Sequence, residues 1–313
     1  MRLGRAPWLA MILAVFGAFS ARAAVPPTVV ATIAQIGQPL GVIAGDCARV
    51  ESLLGEGVDP HLYQPTRADM KRLLAADLVL ANGHNLEAGL HRALAALAER
   101  GKVLYIAETI GQERLLPWSD HHSDPHVWMD PTLWRDALTV GVARVAALVP
   151  ACAQAMTARA MAFFAEMDAL DAYAKAAIAS IPADTRMLVT AHDAFAYFGR
   201  RYGIELQGVQ GISTESEAGL ARIEEMVRLL VDRKVPAVFV ETSVSDRLVR
   251  ALIEGAGAAG HTVRIGGTLY SDAMGAPGSY RGTIIGMLDH NTTSIARALG
   301  GQATGFSPQL AKD

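Results

Sequence analysis

Two of the nine histidines in this 313-residue chain close the same tripeptide, Asp59-Pro60-His61 and Asp124-Pro125-His126. Proline fixes its own φ and drives the preceding residue away from the helical region. Each His therefore sits on a stiffened loop. An acid nearby can orient one imidazole nitrogen while the other binds a metal ion. A third histidine, His192, follows the apolar run Met187-Leu188-Val189-Thr190, which reads as a strand, and precedes a helical stretch at 193–201. Asp272 lies in Ser271-Asp272-Ala273-Met274-Gly275, beyond an expected strand at 262–265. Loops at strand carboxyl ends face the ligand crevice of a doubly wound sheet. Three imidazoles and a carboxylate gathered there would make a metal site. Taken singly, each residue also fits a surface histidine or an ordinary Asp-Pro turn, and spacing alone leaves both readings open.

Other titratable groups have plainer settings. His121 and His122 lie in a short polar loop between Asp120 and Asp124, either a weak auxiliary zinc-collecting site or a solvated loop. His84 and His91 are seven apart on an expected helical segment and would share a face, in a structural or surface role. His261 and His290 have no supporting context. Glu215 and Glu217 read as surface acids, the second suited to a helix N-terminus. Glu241, at a strand end, is as much a candidate partner for a ligand imidazole as a bystander. Two cysteines, Cys47 and Cys152, are too few for a disulfide scaffold or a thiolate zinc site. Whether they pair with each other depends on a Cα separation below about 7 Å, which spacing does not reveal.

The elements that must position these residues alternate. Expected strands at 29–33, 78–81 and 103–106 are separated by helices at 66–75 and 86–100, the latter closed by Gly101. The pattern returns with strands at 187–190, 237–240 and 262–265 and helices at 218–233 and 245–254. Strands separated by helices imply parallel sheets with crossovers. The expected fold class is α/β, with an N-terminal lobe over 24–149 and a C-terminal lobe over 183–313. Between them, 151–180 contains neither Gly nor Pro and is rich in Ala, Met and Leu, all good helix formers. Pro150 and Pro182 bracket it. The segment 150–182 reads as one linking helix of roughly 45 Å, with two helices and a bend as the alternative. A linker of that stiffness disfavours wide hinge closure.

Composition excludes several classes. A net charge of −3 with no basic block argues against a nucleic-acid partner. A hydrophobic content of 51% argues against disorder. Arg2 and Arg5 precede an apolar run at 8–19, and Ala21-Arg22-Ala23 offers a cleavage site, so 1–23 reads as a signal peptide. The run is too short to span a bilayer. Cleavage removes three arginines and no acid, moving the net charge to −6. With no Cys at the cut, the expectation is a soluble periplasmic protein without a lipid anchor.

The segments Gly57-Val58-Asp59-Pro60-His61-Leu62-Tyr63-Gln64-Pro65, Asp124-Pro125-His126-Val127-Trp128-Met129-Asp130-Pro131, Ala191-His192-Asp193-Ala194-Phe195 and Ser271-Asp272-Ala273-Met274-Gly275 resemble those of the zinc/manganese solute-binding proteins of ABC importers, the TroA-like members above all. Gly208-Val209-Gln210-Gly211-Ile212-Ser213-Thr214-Glu215 has the same look, and the resemblance runs along essentially the whole mature chain. It implies two α/β lobes on one rigid helix, with the metal site in the cleft between them. It implies His61, His126, His192 and Asp272 as ligands, His192 standing where members carry His or Glu. It implies no enzymatic activity, a cargo of Zn²⁺ or Mn²⁺, and a permease and its ATPase as partners of a monomer. Three nitrogens and one carboxylate suit tetrahedral zinc and favour it over manganese, though a bidentate Asp272 would give a five-coordinate site that manganese tolerates. An exported zinc hydrolase using the three histidines alone is the alternative, with Glu241 its only loosely placed base. A zinc-stabilised surface adhesin is a third reading.

Overall fold

The computed structural model describes residues 25–119 and 122–307. The leader expected over 1–23, and His121 with Asp120, lie outside the described residues.

Apolar β-branched residues start the N-terminal half. Strand β1, Thr28–Ala31, runs into helix α1, Ala34–Ala44, and returns as β2, Arg49–Ser52. Helix α2, Arg67–Ala75, leads to β3, Leu78–Ala81; helix α3, His91–Ala98, leads to β4, Val103–Tyr105. Short 3₁₀ turns and a loop then reach α4, Pro131–Leu148. The four strands form one parallel sheet in the order β2-β1-β3-β4. Val29 faces Val50 on one side and Leu78 on the other. All of β3, and Val29, Val30 and Ala31 of β1, are buried, as central strands covered on both faces must be. Local signals set the helix starts. Thr66 and Asp69 form a reciprocal capping box at α2. Asp130 caps α4 by accepting the N–H groups of Thr132 and Leu133, with Pro131 at the first helical position.

The expected helix at 86–100 starts late. Gly83, His84 and Asn85 take positive φ of 91°, 49° and 63°, and a 3₁₀ turn at Ala88–Leu90 precedes α3. His84 is therefore off the helix and does not share a face with His91. Three successive left-handed residues stop the chain from entering an α-helix any earlier.

Helix α5, Ala153–Ala179, is a single element about 40 Å long. Met156, Ala160, Phe163, Met167, Leu170, Ala174 and Ala177 make its buried stripe, in alternating steps of four and three. The helix packs on α1 and α4 of the first half and on the last helix of the second. Polar ties reinforce it. Arg159 donates to the carbonyls of Ile43 and Ala44 at the end of α1, at 2.6 and 2.7 Å. The alternative of two helices with a bend is not adopted. Cys47 and Cys152, left open by the sequence, are bonded, with Cα atoms 6.1 Å apart.

In the second half, β5, Met187–Thr190, is followed by α6, Ala196–Tyr202, and β6, Glu205–Gly208. Then come α7, Leu220–Asp232, β7, Ala237–Glu241, α8, Arg247–Ala258, β8, Arg264–Leu269, and α9, Ile284–Ala298. The strands pair in parallel as β5-β6 and β7-β8, with β5 beside β7. Asp171 of α5 accepts two hydrogen bonds from Arg201 of α6, which fixes this half to the same long helix. Strands β2 and β6 escaped the sequence reading. Both are edge strands with polar sequences, Arg-Val-Glu-Ser and Glu-Leu-Gln-Gly, which is how exposed sheet edges are kept from pairing further. Among the described residues no helix is long and apolar enough to cross a membrane.

Candidate metal centre

The structure brings His61, His126, His192 and Asp272 together. One donor atom from each lies within 4.8 Å of all the others. His61 comes from the loop after β2, and His126 from the turn that leads into α4. His192 comes from the end of β5, and Asp272 from the end of β8. His126 departs in detail from expectation: it does not follow a strand directly, and Asp130, capping α4, holds its turn instead. All four side chains are buried.

The Nε2 atoms of His61 and His126 are 3.3 Å apart. Asp272 places Oδ1 3.2 Å from Nε2 of His126 and Oδ2 3.1 Å from Nε2 of His192. Yet neither oxygen of Asp272, nor Nε2 of His192, is aligned for a hydrogen bond. A buried carboxylate needs compensating positive charge. Nitrogen and oxygen lone pairs that converge in this way, without satisfying one another, fit a cation between them.

Carboxylates stand behind two of the imidazoles. Asp124 Oδ1 lies 2.7 Å from Nδ1 of His126 and also accepts its backbone N–H. Glu241 Oε2 lies 2.6 Å from Nδ1 of His192, and Oε1 accepts the His192 backbone N–H at 2.9 Å. Glu241, evenly weighed in the sequence, thus belongs to the centre, whereas Glu215 and Glu217 are exposed. Behind His61 the arrangement differs: Asp59 Oδ1 accepts the His61 backbone N–H at 2.8 Å. Its other oxygen, Oδ2, accepts the hydroxyl of Thr214 at 2.6 Å.

These surroundings separate the protonation equilibria of the metal-free chain. Burial, helped by the neighbouring imidazoles, pulls His61 down to about 4 against the pull of Asp272. Burial also disfavours charge on His126, but Asp124 and Asp272 outweigh it and raise the ring to about 9. His192 is held well above its ordinary value because Glu241 and Asp272 outweigh its desolvation. Asp272 stays well below the usual carboxylate range, since His192 and His126 outweigh its own burial.

The loop that carries Asp272 is clamped from the first half. Gln35 of α1 donates to the carbonyl of Asp272 at 2.8 Å. Trp128 donates to the carbonyl of Ser271 at 3.0 Å, and Trp134 to that of Gln35 at 3.0 Å. Tyr197 of α6 donates to the carbonyl of Asp124 at 2.9 Å. Sequence reasoning missed Gln35, Trp128, Tyr197 and Thr214 as parts of the centre, since each acts across a distance with no local signature.

The remaining histidines stay outside it. His84, His91 and His122 line a separate cavity of about 470 Å³ with Glu108. Among the described residues, the donor groups there do not converge as the four above do. His261 and His290 each lie 2.9 Å from a backbone carbonyl, of Val235 and Thr268.

Two α/β halves on one long helix, with such a cluster between them, are the architecture of the metal-binding components of ABC importers. The chain belongs to that family. The family described as zinc-uptake complex component A, periplasmic, matches residues 29–298. The manganese-binding lipoprotein MntA of Bacillus subtilis is 43% identical over 272 residues, 87% of this chain and 89% of the relative. The zinc-binding protein TroA of Treponema pallidum is 41% identical over 284 residues, 91% of this chain and 92% of the relative. A solved structure of TroA matches with a TM-score of 0.86 at 41% identity, covering 88% of this chain and 99% of that one. The iron-binding protein YfeA of Yersinia pestis is 31% identical over 262 residues, 82% of this chain and 81% of the relative.

The relatives correct one expectation, that of a periplasmic protein without a lipid anchor. MntA is named a lipoprotein, as are several streptococcal relatives. Those names overturn the expectation of a protein without a lipid anchor.

Proposed function

We propose that the chain captures a divalent transition-metal ion through His61, His126, His192 and Asp272. It then passes the ion to a membrane permease driven by its ATPase. The observation that carries this reading is the convergence of four buried donors within 4.8 Å, with the Asp272 oxygens 3.2 and 3.1 Å from Nε2 of His126 and His192. The relatives are substrate-binding parts of transporters, not enzymes, and the hydrolase reading has no support. Glu241, its one loosely placed base, is already occupied with His192.

Zinc is the favoured cargo and manganese the second. Three nitrogens and one oxygen place the site on the zinc side. Relatives carry manganese, zinc and iron in their names, so the donor set rather than kinship supports that order. Part of the same proposal is a division into lobes at 24–149 and 183–313 joined by the connector 150–182, with the chain acting as a monomer. Because α5 is stiff and packs on both halves, release proceeds by small movements of the loops that bear the ligands.

The test is a titration of metal-stripped protein with zinc and manganese, followed by calorimetry and thermal unfolding. One tight zinc site is expected, with a stabilisation of about 4 kcal/mol at a thousandfold excess over Kd. Normal zinc binding by all four single Ala variants would remove the site assignment.

A further inference from the structure

The metal cluster is closed to solvent, so an ion must pass through the protein to reach it. A small cavity of about 150 Å³ lies beside it, between Asp59 and Leu62 on one side and Gln210, Thr214 and Ser243 on the other. Two of its lining residues lead towards ligand residues. Asp59 accepts the backbone N–H of His61. Ser243 Oγ lies 3.2 Å from Oγ of Ser271, which precedes Asp272 in the chain. The cavity thus adjoins the site, and its lining includes an ion pair between Glu217 and Arg247.

A hydrogen bond crosses it. The hydroxyl of Thr214 donates to Oδ2 of Asp59 at 2.6 Å, joining residues 155 apart in sequence. Thr214 is buried, although it lies in the irregular segment between β6 and α7. Asp59 therefore divides its two oxygens between the backbone of His61 and the opposite wall of the cavity. Losing the Thr214 bond frees the carboxylate to turn, and with it the hold on the His61 loop. The corresponding carboxylate at His126 is differently placed, with Oδ1 on the ring nitrogen.

We propose that this cavity is the metal entrance, that the Asp59–Thr214 hydrogen bond is a latch across it, and that Thr214 is a positioning residue that sets how fast the bound ion leaves. This inference rests on the proposed function, and it concerns release rather than coordination. The latch is closed while the ion is held, so breaking it shortens the life of the complex. The ion enters past the same bond, so breaking it does not slow association.

Zinc-loaded full-length protein, mixed with excess chelator in a stopped-flow instrument, tests the latch. The expected result for Thr214→Val is a dissociation rate raised about tenfold, the value of one hydrogen bond to a charged acceptor. The association rate does not fall, and Thr214→Ser, which keeps the hydroxyl, restores slow release. Thr214→Ala is expected to match Thr214→Val and decides the question if the valine variant folds poorly. Dissociation from Val and Ala variants within twofold of the parent overturns the latch, as does a Ser variant that releases as fast as Val. A parent chain that takes up no zinc overturns the proposed function itself, an outcome distinct from these.

Discussion

The two Asp-Pro-His tripeptides have one sequence and two surroundings. At 124–126 the carboxylate turns back onto its own histidine, holding both the ring and the backbone N–H of His126. At 59–61 the carboxylate holds only the backbone of His61 and reaches across to Thr214. The outcome is an opposite electrostatic effect on two adjacent rings, His126 raised to about 9 and His61 lowered to about 4. A local motif sets where a histidine sits. What the neighbouring acid does is decided by the chain opposite.

The most severe way to break the comparison is to remove a ring. His126→Ala and His61→Ala are each expected to abolish tight zinc binding by calorimetry, because both tripeptides supply a donor whatever stands behind them. Retention of a tight site in either variant would take that histidine out of the coordination set.

Proton competition comes next. Zinc binds only neutral imidazole, so affinity should climb as pH rises and His126 and His192, both raised by their acidic neighbours, give up their protons. The sign for stability follows from the same shift. His126 has a folded value above its unfolded one, so its contribution is fully present below pH 6.5 and is lost as pH rises through about 9. His61 runs the other way, favouring the fold above its unfolded value and costing stability as pH falls from 6.5 towards about 4. NMR titration of the metal-free rings checks both directions, and coincident midpoints would erase the comparison.

Asp124→Asn should weaken zinc binding about 10- to 100-fold, the usual effect of losing the group that orients a ligand imidazole. Asp59→Asn should cost less than Asp124→Asn, since its carboxylate holds the backbone of His61 rather than the ring. Equal losses would show that the two acids do the same work.

The smallest effect on the metal is expected from the disulfide. Cys47→Ser should cost up to about 4–5 kcal/mol of folding stability on the chain-entropy account of a long closed loop, while leaving zinc affinity within about twofold. The bond joins the end of α1 to the start of α5, outside both tripeptides. It suits an oxidising compartment.

Much of the site is legible in the sequence because backbone chemistry announces it. Proline stiffens the loops of His61 and His126, and an apolar run ending at Thr190 places His192. The long helix is equally plain, as 27 residues without Gly or Pro leave little else to form. The edge strands β2 and β6 are not legible, because they carry Arg49, Glu51 and Glu205 where alternation would need to be read from four residues. The clamp of Gln35 on Asp272 joins positions 237 apart, and nothing near either residue foretells it. His84 misleads for a related reason: the left-handed turn at 83–85 has Gly only at its first position.

Trp128 and Trp134 sit edge-to-face, 6.2 Å apart, and the ring of His126 lies 5.3 Å from Trp128. Both indoles are shielded from water. A protonated imidazole quenches a neighbouring indole's emission, and zinc would drive that proton off. Zinc loading is therefore expected to change tryptophan emission, a readout that needs no added dye.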